Sequence, residues 1–386
     1  MTIKNQQEKA IINYYPMVHV LYVLDSLKQR FGVTAVAMNY FRNIDRKLVQ
    51  VDFLCYSDSE TGIVDEIRER GGKVFFMPNL SMKNLFAFRR FLHDFFRQHP
   101  EYQIVHSHFN QLDAIIFPIA KKHGVTCCIS HSHNTKYSDY KIRAFRNWLM
   151  CIPLKSLADV WGACSEKAGR FLYGKGFDTS KKKFVINNAV DIKKYAYNPI
   201  VRAEVRKELG VANEIVLGNV GSLKLQKNQE FLIRLMAELQ KRSKDNQYKL
   251  VIVGDGDLKE HLTSLAQDLG VANKVTFTGS RKDVERLLQA FDIFLLPSLY
   301  EGLPVIGIEA QTAGLPCLFS NEITREVDIC NVKFLSIDDN YNEWGDEIDK
   351  LLIFNRQDVS EKVKEKGFDI KHEASRLAEY YIAKVS

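Results

Sequence analysis

No window of the 386-residue chain holds about 18 consecutive apolar residues, so a membrane-spanning helix is not expected. The opening, Met1 to Asn13, is polar and lacks the apolar core of a signal peptide, which points to a cytoplasmic protein. Cysteine is scarce: seven residues, an odd count without Cys-x-x-Cys spacing, speak against a disulfide frame or a thiolate zinc site. Cys127 and Cys128 then read as small core residues. The end of the first strand, Asp25 to Gly32, carries a single glycine, and Gly254-Asp255-Gly256 does not complete GxGxxG, which argues against a dehydrogenase. Basic residues are dispersed rather than gathered on a recognition motif, so nucleic acid is not an expected partner. The net charge of +7 favours anionic partners, nucleotides or phospholipid surfaces among them, without selecting one.

What the chain does contain is ordinary globular material: 46% hydrophobic and 26% charged residues suffice for two cores, and the length suggests two domains. Apolar strands alternate with helical patterns twice over. In the first half strands are expected near Val18 to Leu24, Val51 to Cys55, Lys73 to Met77, Ile104 to His106, Cys127 to Ser130 and Val160 to Ala163. In the second they are expected at Ile215 to Val220, Lys249 to Val253, Val275 to Thr278, Ile293 to Leu296 and Pro316 to Phe319. The fold class is α/β, two doubly wound domains, with the polar segment Asp191 to Ile200 as hinge or linker. Domain limits are placed at 1–192 and 193–368, with residues 369–386 as a helix returning to the first domain. Ligands of such sheets bind outside the carboxyl ends of the strands, so the active site is expected in a cleft between the domains.

The motifs fall at those ends. The apolar run from Phe291 to Leu296 is followed by Pro297-Ser298-Leu299-Tyr300-Glu301-Gly302-Leu303-Pro304, then by a helix from Val305 to Ala313 that carries Glu309. Gly302 permits a sharp turn and Pro304 suits the first helical position, leaving free backbone N–H groups of the kind that bind phosphate. Glu309 can accept hydrogen bonds from a vicinal diol such as ribose. From spacing alone, Glu301 and Glu309 could equally be solvated surface acids. Lys227, in the basic loop Gly221-Ser222-Leu223-Lys224-Leu225-Gln226-Lys227 after a strand, could neutralise a diphosphate. Two His-x-His pairs, His106/His108 and His131/His133, follow apolar strands, each pair on one face. Without a carboxylate or cysteine in ligand spacing, hydrogen bonding to a sugar and its phosphate is a better role for them than metal binding, and one pair could be purely structural.

Glu301 and Glu309 form an E-x7-E pattern within Tyr-Glu-Gly-Leu-Pro-Val and Glu-Ala-Gln-Thr-Ala-Gly-Leu-Pro, which resembles glycosyltransferase family 4, retaining enzymes of the GT-B fold. Met38-Asn39-Tyr40-Phe41-Arg42-Asn43, His131-Ser132-His133-Asn134-Thr135, Ala163-Cys164-Ser165-Glu166 and Gln226-Lys227-Asn228 resemble its capsule and exopolysaccharide branch, over almost the whole chain. The resemblance implies transfer from a nucleotide-diphosphate sugar, most often a uridine one, with retention and without metal or other cofactor. It implies a donor site of Ser222, Lys224, Lys227, Gly254, Gly302, Leu303, Pro304 and Glu309. Glu309 would hold the ribose hydroxyls, Glu301 the donor sugar, and Lys227 the diphosphate as charge grows on the leaving group. His131, or His133 two positions on, would meet the reacting sugar or phosphate. The acceptor would lie near Gly32, His106, His108, Asn110, His133 and Asn134.

Two positions depart from the family pattern. Ser222 stands where relatives commonly carry Arg, with Lys224 as a substitute cation, and Phe31-Gly32-Val33-Thr34 replaces Gly-Gly-Val-Glu. These departures keep a degenerate nucleotide-binding partner as an alternative to a transferase; a GT-B sugar-nucleotide epimerase is a second alternative, disfavoured by the family-4 signature running through both domains. A helix from Met82 to Gln98 is expected to bury Leu85, Phe88, Leu92 and Phe95 and to turn Lys83, Phe86, Arg90 and Arg97 outward. With the basic, aromatic segment Tyr140 to Leu157 it suits either an ordinary amphipathic surface or the inner-leaflet membrane face, where a lipid-linked saccharide acceptor would be met.

Overall fold

The computed structural model describes residues 17–386 apart from 29–31, 58, 60, 82, 212, 243–246 and 339–340. The polar start Met1 to Asn13, Phe31 of the first loop and Met82 lie outside the described residues. The chain divides into two compact units, the first formed by Met1–His133, Tyr140–Asn187 and Ile370–Ser386, the second by Asn134–Asp139 and Asn188–Asp369.

Among the described residues the first unit contains strands β1 (Val18–Leu24), β2 (Val49–Cys55), β3 (Val74–Phe76), β4 (Ile104–Ser107), β5 (Cys127–Ser132), β6 (Val160–Ala163) and β7 (Lys183–Val185). All pair in parallel in the order β3-β2-β1-β4-β5-β6-β7. The central strands are buried on both faces because helices cover both, which is why they read as largely apolar runs. On one face Phe88, Leu92, Phe95 and Phe96 of the helix Leu85–Gln98 pack with Ile116, Phe117 and Ala120 of the helix Asp113–Lys122 over Leu21, Val105 and Cys128. Leu85, expected in that stripe, is exposed: it opens the helix, one turn before Phe88 first reaches the sheet. The closing helix Ile370–Val385 buries Ala374, Leu377, Ala378 and Tyr381 in this unit, and its Tyr380 ring stacks on Phe184 of β7 at 3.7 Å.

The second unit contains β8 (Ile215–Val220), β9 (Tyr248–Val253), β10 (Val275–Gly279), β11 (Ile293–Leu296), β12 (Cys317–Ser320) and β13 (Val332–Leu335), parallel in the order β10-β9-β8-β11-β12-β13. Chain order reverses at β8, so β8 and β11 are neighbours, and the loops following them lie side by side at their carboxyl ends. Asp191 to Ile200 is not an unpatterned linker. Asp191 caps a short helix, Ile192–Tyr195, and the side chain of Asn198 caps the helix Pro199–Glu208, whose Pro199 occupies the opening turn. Pro304 likewise stands one position earlier than expected, as the residue preceding the helix Val305–Thr312.

Candidate active site

In the second unit the chain after β8 runs through Gly221 and a single turn, Leu225–Lys227, into the helix Gln229–Arg242. Asn228 takes the left-handed conformation, φ 52°, and its amide donates to the Pro297 carbonyl at 3.2 Å. The Leu299 N–H donates to the Gln226 carbonyl at 2.8 Å, and the Gln226 amide donates to that of Tyr300 at 3.0 Å. These bonds tie the loop after β8 to the loop after β11. As a result Lys227 Nζ lies 2.5 Å from Glu301 Oε1, with side chains only 16% and 9% exposed.

Two nearby glycines leave little room for a side chain, and at Gly254 glycine is required. A Cβ on Gly221 would press on the Lys227 methylenes at 3.3 Å, and Gly254, at φ 141°, lies so close to the Gly221 carbonyl that any side chain would collide with it. Gly254 therefore serves to dock the loop after β9 against the loop after β8. The Thr135 hydroxyl donates to the Glu301 carbonyl at 3.1 Å, and the Tyr300 hydroxyl donates to Asp139 at 2.6 Å. Glu309 is buried on its helix and accepts from the Tyr195 hydroxyl at 2.7 Å. Burial pushes its carboxyl up to about 7, against the pull of that hydroxyl. Gly302, Leu303 and Pro304 are buried between the two glutamates, and the Leu303 carbonyl accepts from Asn188 at 2.6 Å. Lys224 is exposed and Ser222 partly so.

In the first unit the parallel register of β4 and β5 pairs Ser107 with Ser130, so one step further His108 stands beside His131. All four histidines of the two pairs come together. His106 Nε2 lies 3.1 Å from His131 Nδ1, His108 Nδ1 lies 2.7 Å from His133 Nε2, and the His131 and His133 rings stack at 3.9 Å. Burial drives the imidazoles towards neutrality: His106 and His133 fall to about 3, and His108 and His131 fall well below their ordinary value. Ring nitrogens of His106, His108 and His131 lie within 4.8 Å of one another. His108 Nε2 and His131 Nε2 are buried without a hydrogen-bond partner. Beneath them the Asn110 amide donates to Ser130 Oγ at 2.8 Å and to the His131 carbonyl at 3.2 Å. Ser130 Oγ in turn donates to Asp113 at 2.6 Å, and burial raises that carboxyl to about 7.

The structure thus gathers Lys227, Glu301, Gly254 and the Gly302–Pro304 turn in one place and His106, His108, Asn110, His131 and His133 in another. Gly32, the remaining acceptor-side residue, opens the helix Gly32–Asn43 with free space where a Cβ would be. Asn134 caps the N–H of Thr135 within the second unit. Sequence reasoning gave no role to Tyr195, Asp113 or Tyr381, and noted Asn188 only within the family-like stretch Val185-Ile186-Asn187-Asn188; Asp113, the one carboxylate of its helix, was the other visible signal.

Comparison with known proteins accords with this geometry. The structure superposes on that of Anabaena Alr3699/HepE in complex with UDP and glucose with a TM-score of 0.72 at 19% identity, covering 95% of this chain and 96% of that one. Two doubly wound parallel sheets with this likeness are the GT-B fold. The family model described as Glycosyl transferases group 1 matches residues 201–368, and that described as Glycosyltransferase Family 4 matches residues 32–194. The chain is 30% identical over 370 residues to EpsF of Bacillus subtilis (strain 168), named as a glycosyltransferase, covering 94% of this chain and 96% of that protein. It is 26% identical over 374 residues to the UDP-Gal:alpha-D-GlcNAc-diphosphoundecaprenol alpha-1,3-galactosyltransferase of Escherichia coli, covering 91% and 93%. The chain belongs to glycosyltransferase family 4.

Proposed function

We propose that the protein moves a sugar from a uridine diphosphate carrier to a lipid-linked saccharide in capsule or exopolysaccharide assembly, with retention of configuration, without a metal ion and on the cytoplasmic face of the membrane. The observation that carries this reading is the buried Lys227–Glu301 pair at the strand ends, with Glu309 buried on the following helix. In the free protein each charge answers the other. When a donor binds, diphosphate oxygens take up the Lys227 ammonium, and the Glu301 carboxylate accepts hydrogen bonds from sugar hydroxyls instead. Charge growing on the leaving phosphate then meets a cation already in place. The departing phosphate oxygen would take the acceptor hydroxyl's proton, so the new bond forms on the face the phosphate leaves. The E. coli relative's name specifies a UDP donor and a diphosphoundecaprenol acceptor, which supports both substrate classes.

A thermal-shift screen against uridine, guanosine and adenosine diphosphates and their sugars tests the donor assignment. A uridine diphosphate sugar at a hundredfold over its Kd should raise Tm by about 5 °C or more, and Glu309→Ala should abolish the shift. Because the hydroxyls of ribose donate to the ionised carboxylate, donor binding should also strengthen as pH rises through about 7. No shift with any nucleotide would overturn the assignment.

The acceptor side is supported by a surface. Among the described residues no helix is long and apolar enough to cross a membrane. The helix Lys141–Cys151 nevertheless turns Ile142, Phe145, Trp148 and Leu149 outward, Ile142 at 87% exposure, among Lys141, Arg143 and Arg146, and no acid lies between Tyr140 and Leu157. Phe86, 89% exposed beside Arg89 and Arg90, repeats the pattern on the helix Leu85–Gln98. An apolar stripe bordered by cations fits an anionic bilayer surface. The protein should float with vesicles of anionic lipid and not with zwitterionic ones, and Ile142→Glu with Phe145→Glu should weaken that binding at least tenfold. Equal binding to both vesicle types would sink the assignment.

A further inference from the structure

Tyr381 Oη lies 2.5 Å from His106 Nδ1, and His106 Nε2 lies 3.1 Å from His131 Nδ1. The Tyr381 hydroxyl also lies within donating reach of Tyr22 Oη, at 3.1 Å, so His106 and Tyr22 compete for its one proton, and His106 is the nearer and more basic acceptor; all four side chains are buried. We infer that Tyr381, on the closing helix, is a positioning residue that sets the tautomer of His131 through His106, so that His131 presents Nε2–H as a hydrogen-bond donor. The inference rests on the reading of His131 as the group that meets the donor sugar or its phosphate.

The tautomers of the linked rings are coupled through their shared protons. Each neutral imidazole carries one N–H and one lone pair, so fixing one ring fixes the next. Two polarities are possible. A phenol is a far stronger acid than a neutral imidazole N–H, and an imidazole nitrogen is a far stronger base than a phenol oxygen, so the phenol donates and His106 Nδ1 accepts. His106 then carries its proton on Nε2 and donates it to His131 Nδ1, and the His131 proton must sit on Nε2. That is the nitrogen the fold leaves buried and unpaired. An unpaired buried N–H is costly, which favours a ligand oxygen that answers it. With the opposite polarity His131 Nε2 would be a lone pair that repels the same oxygen. Burial keeps the imidazoles neutral and holds the phenol proton on Tyr381, so no charged state confuses the order.

The test uses the full chain labelled with 15N-histidine, whose ten histidines keep the nitrogen spectrum tractable, with the His131 signals assigned by their disappearance in His131→Asn. In the native protein His131 should show a protonated Nε2 and a bare Nδ1. Tyr381→Phe should shift His131 to a tautomer mixture and lower kcat about tenfold with little change in KM for the donor. Tyr22→Phe is the control: it removes the neighbouring buried hydroxyl and leaves the Tyr381 proton only His106 to meet, so the tautomer should persist. A native His131 protonated on Nδ1, a tautomer unmoved by Tyr381→Phe, or an equal shift in Tyr22→Phe would each overturn the inference. Normal transfer by His131→Asn would overturn the underlying reading of His131 while leaving the tautomer result to be judged on its own.

Discussion

Replacing Lys227 by Met should lower transfer by about 10²–10³-fold, the loss expected when one preorganised donor to the leaving group is removed. The same substitution should also destabilise the fold, because it leaves the Glu301 carboxylate, 9% exposed, without its partner at 2.5 Å. Breaking a buried ion pair from one side costs about 3–5 kcal/mol. Glu301→Gln should behave alike from the other side. The double variant, Lys227→Met with Glu301→Gln, leaves no charge behind, so its urea midpoint should return towards the native value while transfer stays at the level of the worse single variant. Stability that fails to recover in the double variant would show that the two side chains do not depend on each other. Activity that recovers with it would show that neither serves the reaction. This divergence between stability and transfer separates a pair kept for the donor from one kept for the fold.

That pair was only half legible in the sequence. Both residues stand beyond strand ends, and strands such as Val18–Leu24, Val160–Ala163, Ile215–Val220 and Ile293–Leu296 are found where predominantly apolar runs place them. Their contact follows from the adjacency of β8 and β11, a property of topology that spacing along the chain does not carry. The overlooked strands, Lys183–Val185 and Val332–Leu335, are short edge strands with a lysine in each, so they lack the apolar continuity that marks a central strand. In Asp191 to Ile200 the signal is ambiguous: Asp191, Asn198 and Pro199 are capping residues, but they resemble loop chemistry because the helices they begin are short or mostly solvent-facing. The paired His-x-His motifs were visible, whereas Tyr381, in a helix far along the chain, was not. Only the packing of that helix brings its hydroxyl to His106.

The buried histidines should also make the first unit sensitive to acid, in a window that the surrounding groups define. In the unfolded chain an imidazole takes up its proton near pH 6.5; in the fold His106 and His133 resist until about 3, and His108 and His131 are held down as well. Their contribution to stability is therefore fully present above about pH 6.5 and is lost as the pH falls towards 3, at up to about 1.4 kcal/mol per pH unit for each ring. One neighbouring group opposes them. Asp113, raised to about 7, keeps its proton in the fold down to the pH where the unfolded carboxyl regains one, and so favours folding as the pH falls from 7 to about 4. His106 and His133, at about 3, against Asp113, at about 7, leave a net uptake of about one proton on unfolding near pH 5, about 1.4 kcal/mol per pH unit, and His108 and His131 act in the same direction. Against a total stability of about 5–15 kcal/mol, mild acidification should weaken this unit measurably. The slope of unfolding free energy against pH, read from urea titrations between about pH 6 and 4.5, checks the sign and size. His133→Gln should remove about one proton from that slope and Asp113→Asn should add about one. A slope near zero would mean that the imidazoles are protonated in the fold, which neither their burial nor their mutual 2.7 and 3.1 Å contacts would tolerate.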